Sequence, residues 1–205
     1  MSDQVYPDEA VRRAQKLKAL LLDVDGVMTA GRIIFDSKGR DSRNFNVQDG
    51  LGVYFAKKCG LIVGIITGRK SRVTKIRARE LKIDFLSQGH KNKLKPYEKF
   101  KVGFNLTDEE IGYIGDDLLD LSIMSRCGFS ACVANGREEV KAKSHFVTNS
   151  TGGKGAVREV IEFVLKQQGK WQKLLDNYYE NFDRDQKQNK RFITGSREEG
   201  IADRS

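Results

Sequence analysis

Two prolines in 205 residues exclude proline-rich and collagen-like architectures. Two histidines, His90 and His145, are too few for a histidine metal cluster and argue against a Ser-His-Asp triad. The three cysteines, Cys59, Cys127 and Cys132, are odd in number and lack a CxxC spacing, so reduced, mostly buried thiols are expected rather than disulfides or a zinc site. Long apolar runs are missing as well. Leu20–Leu22 and Leu61–Ile66 are too short to cross a bilayer, and the opening MSDQVYPDEAVRRAQ has no apolar signal core. These absences predict a cytoplasmic protein with no membrane partner.

Hydrophobic residues at 39% and charged residues at 32% suit a globular core with a well-solvated surface. The length fits one domain of good size. Lys and Arg number 37 against 28 Asp and Glu, a net charge of +9 that suggests an anionic partner. No nucleic-acid motif and no interleaved aromatic and basic stripe runs over the core, so a small anionic substrate is expected and no nucleic acid.

Short, fully apolar runs alternate with longer amphipathic ones. Strands are predicted at Ala19–Leu22, Leu61–Ile66, Asp84–Leu86, Ile111–Ile114, Phe129–Val133 and His145–Val147. Helices are predicted near 49–59, 70–81, 92–104, 117–127, 136–143 and 154–168. Apolar strands separated by helices imply an α/β fold, a parallel sheet flanked by helices on both faces. Arg32–Phe35 and Arg43–Asn46 around Asp36–Gly39 interrupt the rhythm and read as a β-hairpin inserted after the first strand, at about 30–46. The domain is expected to span 1–168. Trp171, Leu174, Leu175, Tyr178, Tyr179 and Phe182 then form a helical stripe over 169–182 that could pack on its own domain or on a neighbouring subunit. Residues 183–205 read as a disordered tail.

Ligands of such sheets bind beyond the carboxyl ends of the strands. There the sequence places Asp23-Val24-Asp25-Gly26, Thr67-Gly68-Arg69, Lys93 and Gly115-Asp116-Asp117-Leu118-Leu119-Asp120. Of two carboxylates at i and i+2, one can attack phosphorus and the other can move a proton on and off the leaving oxygen and water. A hydroxyl with backbone amides suits a phosphate oxygen, a lysine offsets phosphoryl charge, and hard carboxylate oxygens suit Mg²⁺. Each signal has a bland reading as a turn, a cap or a solvated charge. Together, in this order, they are far more specific.

Over residues 17–168 the chain resembles the haloacid dehalogenase superfamily of phosphotransferases, whose Rossmann-like fold is the one expected here. The resemblance implies Asp23 as nucleophile, Asp25 as general acid and base, and Thr67 and Lys93 as holders of the phosphoryl group. It implies Mg²⁺ bound by Asp23, the backbone carbonyl of Asp25 and Asp116, with Asp117 and Asp120 supporting the metal surroundings and Lys93. Asp25 would have to hold its proton more tightly than Asp23. The spacer from Asp25 to Thr67 has no room for a large cap domain. That places the resemblance in the capless subgroup, near the 3-deoxy-D-manno-octulosonate 8-phosphate (KDO 8-phosphate) phosphatases of lipopolysaccharide synthesis. Members are homotetramers whose hairpins form a central barrel, and a neighbour's C-terminal segment helps close the site. Substrate contacts would come from Asn46, Val47, Gln48, Asp49, Gly50, Gly68, Arg69 and Arg77, the substrate being a small anionic sugar-acid phosphate. Arg69 after Thr67-Gly68 favours the eight-carbon acid over nonulosonate 9-phosphates. Gln48, Tyr54 and Lys154 stand where arginines are frequent in that subgroup. A phospho-receiver signalling module shares the acidic cluster, hydroxyl and lysine but lacks an Asp two residues after its phosphorylated Asp.

Overall fold

The computed structural model describes residues 7–179. Its centre is a six-stranded, wholly parallel sheet of β1 (Ala19–Leu22), β4 (Ile62–Thr67), β5 (Phe85–Gln88), β6 (Ile111–Gly115), β7 (Phe129–Cys132) and β8 (Phe146–Val147). The order across the sheet is β5-β4-β1-β6-β7-β8. The chain steps from β1 outward to one side, then returns to build the other. That reversal at β1 opens a crevice at its carboxyl end, where such sheets bind ligands.

Alternation in β1 feeds two cores. Leu20 and Leu22 join one buried cluster with Val63 and Ile65, covered by α1 (Asp8–Gln15), α2 (Val47–Lys58) and α7 (Ala156–Gln167). Ala19 and Leu21 join the opposite cluster with Ile66, Tyr97, Phe100 and Tyr113. That cluster is roofed by α4 (Leu94–Gly103), α5 (Leu121–Met124) and α6 (Glu138–Lys141). Each fully buried leucine contributes roughly 1.5–3 kcal/mol relative to exposure, so β1 is firmly anchored beside the site. Helix α3 (Arg72–Glu80) joins β4 to β5 and starts at Ser71, whose Oγ accepts the Thr74 amide at 3.3 Å.

Several boundaries differ from the sequence expectation. Helix α1 was not foreseen, because Ala10 and Ala14 are the only side chains it buries fully and its other residues are mostly polar. The stretch 117–127 is broken into a 3₁₀ turn, Leu118–Asp120, followed by α5, since Asp120 turns back to bind the amides of Asp116 and Asp117. The hairpin is present as β2 (Ile34–Phe35) and β3 (Asp41–Ser42), with Ile34 opposite Ser42. Its second strand therefore precedes 43–46. The Asp36 carboxylate accepts the amides of Lys38 and Arg40, which holds the turn open as far as Arg40, and Asn46 leaves the strand to cap α2.

All three cysteines are free thiols, two of them buried. Among the described residues no helix is long and apolar enough to cross a membrane. Residues 171–179 are helical, and Trp171 and Leu174 pack on the chain's own core, with Trp171 edge-on to Phe55 at 5.9 Å. Of the expected helix over 169–182, residues 180–182 lie outside the described residues, as does the tail at 183–205.

Candidate active site

Asp23 follows β1 directly, and its amide donates to the Ile114 carbonyl at 3.1 Å, continuing the strand pairing by one residue. The chain then makes one wide turn over Val24–Met28, closed by Thr29 N–H on the Val24 carbonyl at 3.1 Å. Gly26 adopts φ +104°, which favours glycine. The turn is also pinned from behind: a β-carbon on Gly152 would overlap the Gly26 carbonyl oxygen at 1.6 Å.

Asp23, Asp116 and Asp120 each present a carboxylate oxygen within 4.8 Å of the others. They come from the ends of adjacent strands β1 and β6 and from the turn after β6. Lys93, just before α4, reaches this cluster with 2% of its side chain exposed. Its Nζ donates to Asp120 Oδ1 at 2.6 Å and to the Tyr113 hydroxyl at 3.1 Å. It also forms an ion pair with Asp23 Oδ1 at 2.9 Å. That contact lies off the hydrogen-bond direction, so the buried Asp23 oxygen still has no hydrogen-bond donor.

The three carboxylates are not equivalent. Asp120 is saturated: Oδ1 accepts from Lys93 and from the Tyr113 hydroxyl at 2.6 Å, and Oδ2 accepts the amides of Asp116 and Asp117 at 2.9 and 3.2 Å. Asp23 Oδ1 and Asp116 Oδ1 are buried without such partners. Burial pushes the Asp23 carboxyl up to about 6, with Lys93 opposing and Asp120 adding to the rise. Burial and then the charges of Asp23 and Asp120 push Asp116 up to about 8. Burial lowers the affinity of Lys93 for its proton, but Asp23 and Asp120 outweigh it and the net shift is upward. Two buried hard oxygens that repel each other, one without a partner and the other with only an ammonium beside it, fit a small divalent cation. Asp120 fits the role of holding Lys93 and the Asp116 backbone in place.

Thr67 ends β4 in a buried position, and its carbonyl accepts the Gly89 amide at 3.0 Å. Gly68 follows, and Arg69 is exposed. Asp25 lies apart from the acidic cluster: its carboxylate is held by the Arg43 guanidinium at 2.8 and 3.1 Å. Asp117 is exposed and caps Leu118 N–H at 2.7 Å, so it supports the turn and does not touch Lys93.

The segment 46–50 has partners within its own chain. Asn46 caps α2 by accepting Gln48 N–H at 2.7 Å, and Val47 and Gln48 face solvent. Asp49 is buried and accepts the Arg158 amide at 2.9 Å in the first turn of α7, while burial raises its carboxyl. Oδ1 thus holds a helix start, while Oδ2 is buried without a hydrogen-bond partner. Gly50 is packed so close to Arg77 that a β-carbon would lie 2.4 Å from Nη2. Arg77 itself donates to the Asn46 carbonyl at 3.3 Å and pairs with Glu80, so within one subunit it braces this segment from behind.

Tyr113, Arg43 and Asp41 were missed as site residues. Tyr113 could have been found, because residues alternating with it in β6 set which face its hydroxyl occupies. Nothing local marks Arg43.

The sequence matches the haloacid dehalogenase-like hydrolase family over residues 70–161. It is 39% identical over 163 residues to the 3-deoxy-D-manno-octulosonate 8-phosphate phosphatase KdsC of Yersinia pestis, covering 80% of this chain and 87% of that one. The chain belongs to the haloacid dehalogenase family, on its 3-deoxy-D-manno-octulosonate 8-phosphate phosphatase branch. The KdsC of Escherichia coli K12 is 37% identical over 79% of this chain and 86% of its own. Among solved structures, the phosphatase of this branch from Moraxella catarrhalis, in complex with magnesium, phosphate and KDO, superposes with a TM-score of 0.82. It is 39% identical and covers 84% of this chain and 99% of its own. The shared α/β architecture includes the parallel sheet on which the acidic cluster sits.

Proposed function

We propose that the chain is a Mg²⁺-dependent phosphatase that hydrolyses KDO 8-phosphate to KDO and inorganic phosphate, in lipopolysaccharide synthesis, through an aspartyl-phosphate on Asp23. The observation that carries this reading is the buried pair Asp23 Oδ1 and Asp116 Oδ1, the second without any partner and the first with only the Lys93 ammonium at 2.9 Å, beside a lysine whose other partners are fixed.

Asp23, Asp116 and the backbone carbonyl of Asp25 would hold the metal, with Asp120 orienting Asp116 through its amide. When bound, Mg²⁺ supplies positive charge that offsets the phosphoryl oxygens as an anionic nucleophile approaches. Lys93 adds a second, immobile cation, and the Thr67 hydroxyl donates to a phosphoryl oxygen. An Asp23 oxygen attacks phosphorus as the bond to the sugar oxygen breaks. Asp25 gives its proton to that oxygen, which leaves as the alcohol. Asp25 then takes a proton from water, the water attacks the aspartyl-phosphate, and Asp23 is regenerated with release of phosphate.

Arg69, exposed directly after Thr67-Gly68, supplies a guanidinium suited to bidentate binding of the sugar-acid carboxylate. In this reading Gly68, Val47 and Gln48 would contribute with it to the sugar side of the site. Ile34 and Phe35, 58% and 59% exposed on the hairpin, are the surface by which four copies would assemble. We place the enzyme in the cytoplasm.

Phosphate release from a panel of sugar-acid phosphates, with and without Mg²⁺, tests the reading. Hydrolysis of KDO 8-phosphate that requires Mg²⁺ is expected. A higher kcat/KM on a nonulosonate 9-phosphate would move the substrate to the nine-carbon acids, and a long-lived phosphoenzyme without turnover would point to a signalling module.

A further inference from the structure

Arg43 has its side chain 1% exposed, although it lies in the link between the exposed hairpin and α2. Its guanidinium is shared by two carboxylates. Nε donates to Asp25 Oδ1 at 2.8 Å and Nη2 to Asp25 Oδ2 at 3.1 Å, while Nη1 donates to Asp41 Oδ2 at 2.5 Å. Asp41 belongs to β3 and pairs with Phe35 of β2. An unbroken line of contacts therefore runs from the hairpin ladder through Asp41 and Arg43 to Asp25.

A buried guanidinium is costly to desolvate and is tolerated where its fork is matched on both sides by acceptors. An aspartate side chain has two torsions, and a bidentate guanidinium fixes both. Proton transfer to a leaving oxygen depends steeply on the placement of the donor. The Asp25 backbone is set by the turn around Gly26, but the turn does not fix where the carboxylate points.

We propose that Arg43, anchored on the hairpin by Asp41, is a positioning residue that aims the Asp25 carboxylate for proton transfer. For the transfer, Oδ2 gives up the longer of the two contacts, that to Nη2 at 3.1 Å, and carries the proton that passes to the departing sugar oxygen as its bond to phosphorus breaks. Oδ1 keeps its 2.8 Å bond to Nε. In this chain the hairpin is thus part of the acid's support as well as a surface for assembly. The inference rests on the reading of Asp25 as the proton-transfer group.

The test compares leaving groups. Because kcat/KM reports steps through the first phosphoryl transfer, it isolates the protonation of the leaving oxygen. Arg43→Met is expected to lower kcat/KM on KDO 8-phosphate, whose alcohol leaves only with a proton, by on the order of 10²-fold. On p-nitrophenyl phosphate, whose phenolate leaves unaided, the loss should be at most a few-fold. Arg43→Lys should recover part of the sugar-phosphate activity, and Asp41→Asn should shift the substrate ratio in the same direction by less. In the Asp25→Asn background, Arg43→Met should cause no further loss. Equal losses on both substrates, or additive losses in the double variant, would overturn the proposal. Should Arg43→Met not fold, an unchanged substrate ratio in Arg43→Lys and Asp41→Asn overturns it instead. Wild-type protein inactive on every sugar-acid phosphate would sink the functional reading, and this inference with it. Active wild type with unchanged ratios would sink the inference alone.

Discussion

A β-carbon on Gly26 would lie 2.0 Å from Asp116 Oδ2. The turn after the first strand and the acidic loop after β6 therefore interlock with no side chain between them. Gly26→Ala has to push the Asp116 carboxylate aside and hold an L residue at φ +104°. The backbone alone costs about 1–2 kcal/mol. The variant is expected to melt lower and to lose heat of Mg²⁺ binding in calorimetry. Wild-type Mg²⁺ affinity in this variant would show that Asp116 does not need its present position.

Asp23→Asn keeps the size of the side chain and removes its negative charge. Turnover of KDO 8-phosphate is expected to fall by on the order of 10⁴-fold or more. Acid quenching of the wild type with labelled substrate should trap phosphate on the protein, and the variant should trap none.

The carboxyls of Asp23 and Asp116, raised to about 6 and about 8, hold protons more tightly in the folded chain than at the ordinary 3.8. Stabilisation from that difference is complete below the ordinary value and is lost as pH rises through the folded values. The Tm of metal-free protein should therefore decline as pH rises from about 4 to about 8. Mg²⁺ competes with those protons, so the rise in Tm on adding it should be larger at pH 8 than at pH 5. A metal-free Tm that climbs across this window would contradict the assignment.

Asp120→Ala strips Lys93 of its shortest contact and leaves a buried ammonium with the Tyr113 hydroxyl and an off-axis Asp23. Breaking a buried pair from one side costs about 3–5 kcal/mol. Chemical denaturation should show a loss of this size, with weaker phosphate inhibition in the fraction that folds. A loss below about 1 kcal/mol, the range of surface pairs, would mean that Lys93 finds another acceptor.

Phe35→Asp places a charge on the exposed hairpin without touching the acidic cluster. With assembly through the hairpin as proposed, light scattering should show a smaller particle than for the wild type. An unchanged mass would remove the hairpin from the interface.

The sheet and the acidic cluster were legible because they rest on one-dimensional signals. Apolar runs ending at Asp23, Thr67 and Gly115 mark strand ends, and parallel strands put those ends on one rim. What stayed hidden depends on side chains crossing between distant segments. In sequence Asp49 belongs to a segment implied to contact substrate, and its bond to the Arg158 amide in the first turn of α7 is an attraction that no local pattern records. Arg43 reads as a strand residue, yet its guanidinium turns inward to two acids. Helix α1 escaped notice because its inward face is only two alanines and a partly buried Val11.

The placement of β1 has a consequence for how the enzyme comes into being. Leu20 pairs with Val63 on one side and with Gly112 on the other, so the strand that delivers Asp23 is completed only after more than half of the chain has been made. Contacts this distant in sequence form late and slowly. A nascent or clipped chain lacking Ile111–Gly115 has an unpaired flank beside β1 and neither Asp116 nor Asp120. The acidic cluster is therefore assembled only after synthesis has passed Asp120.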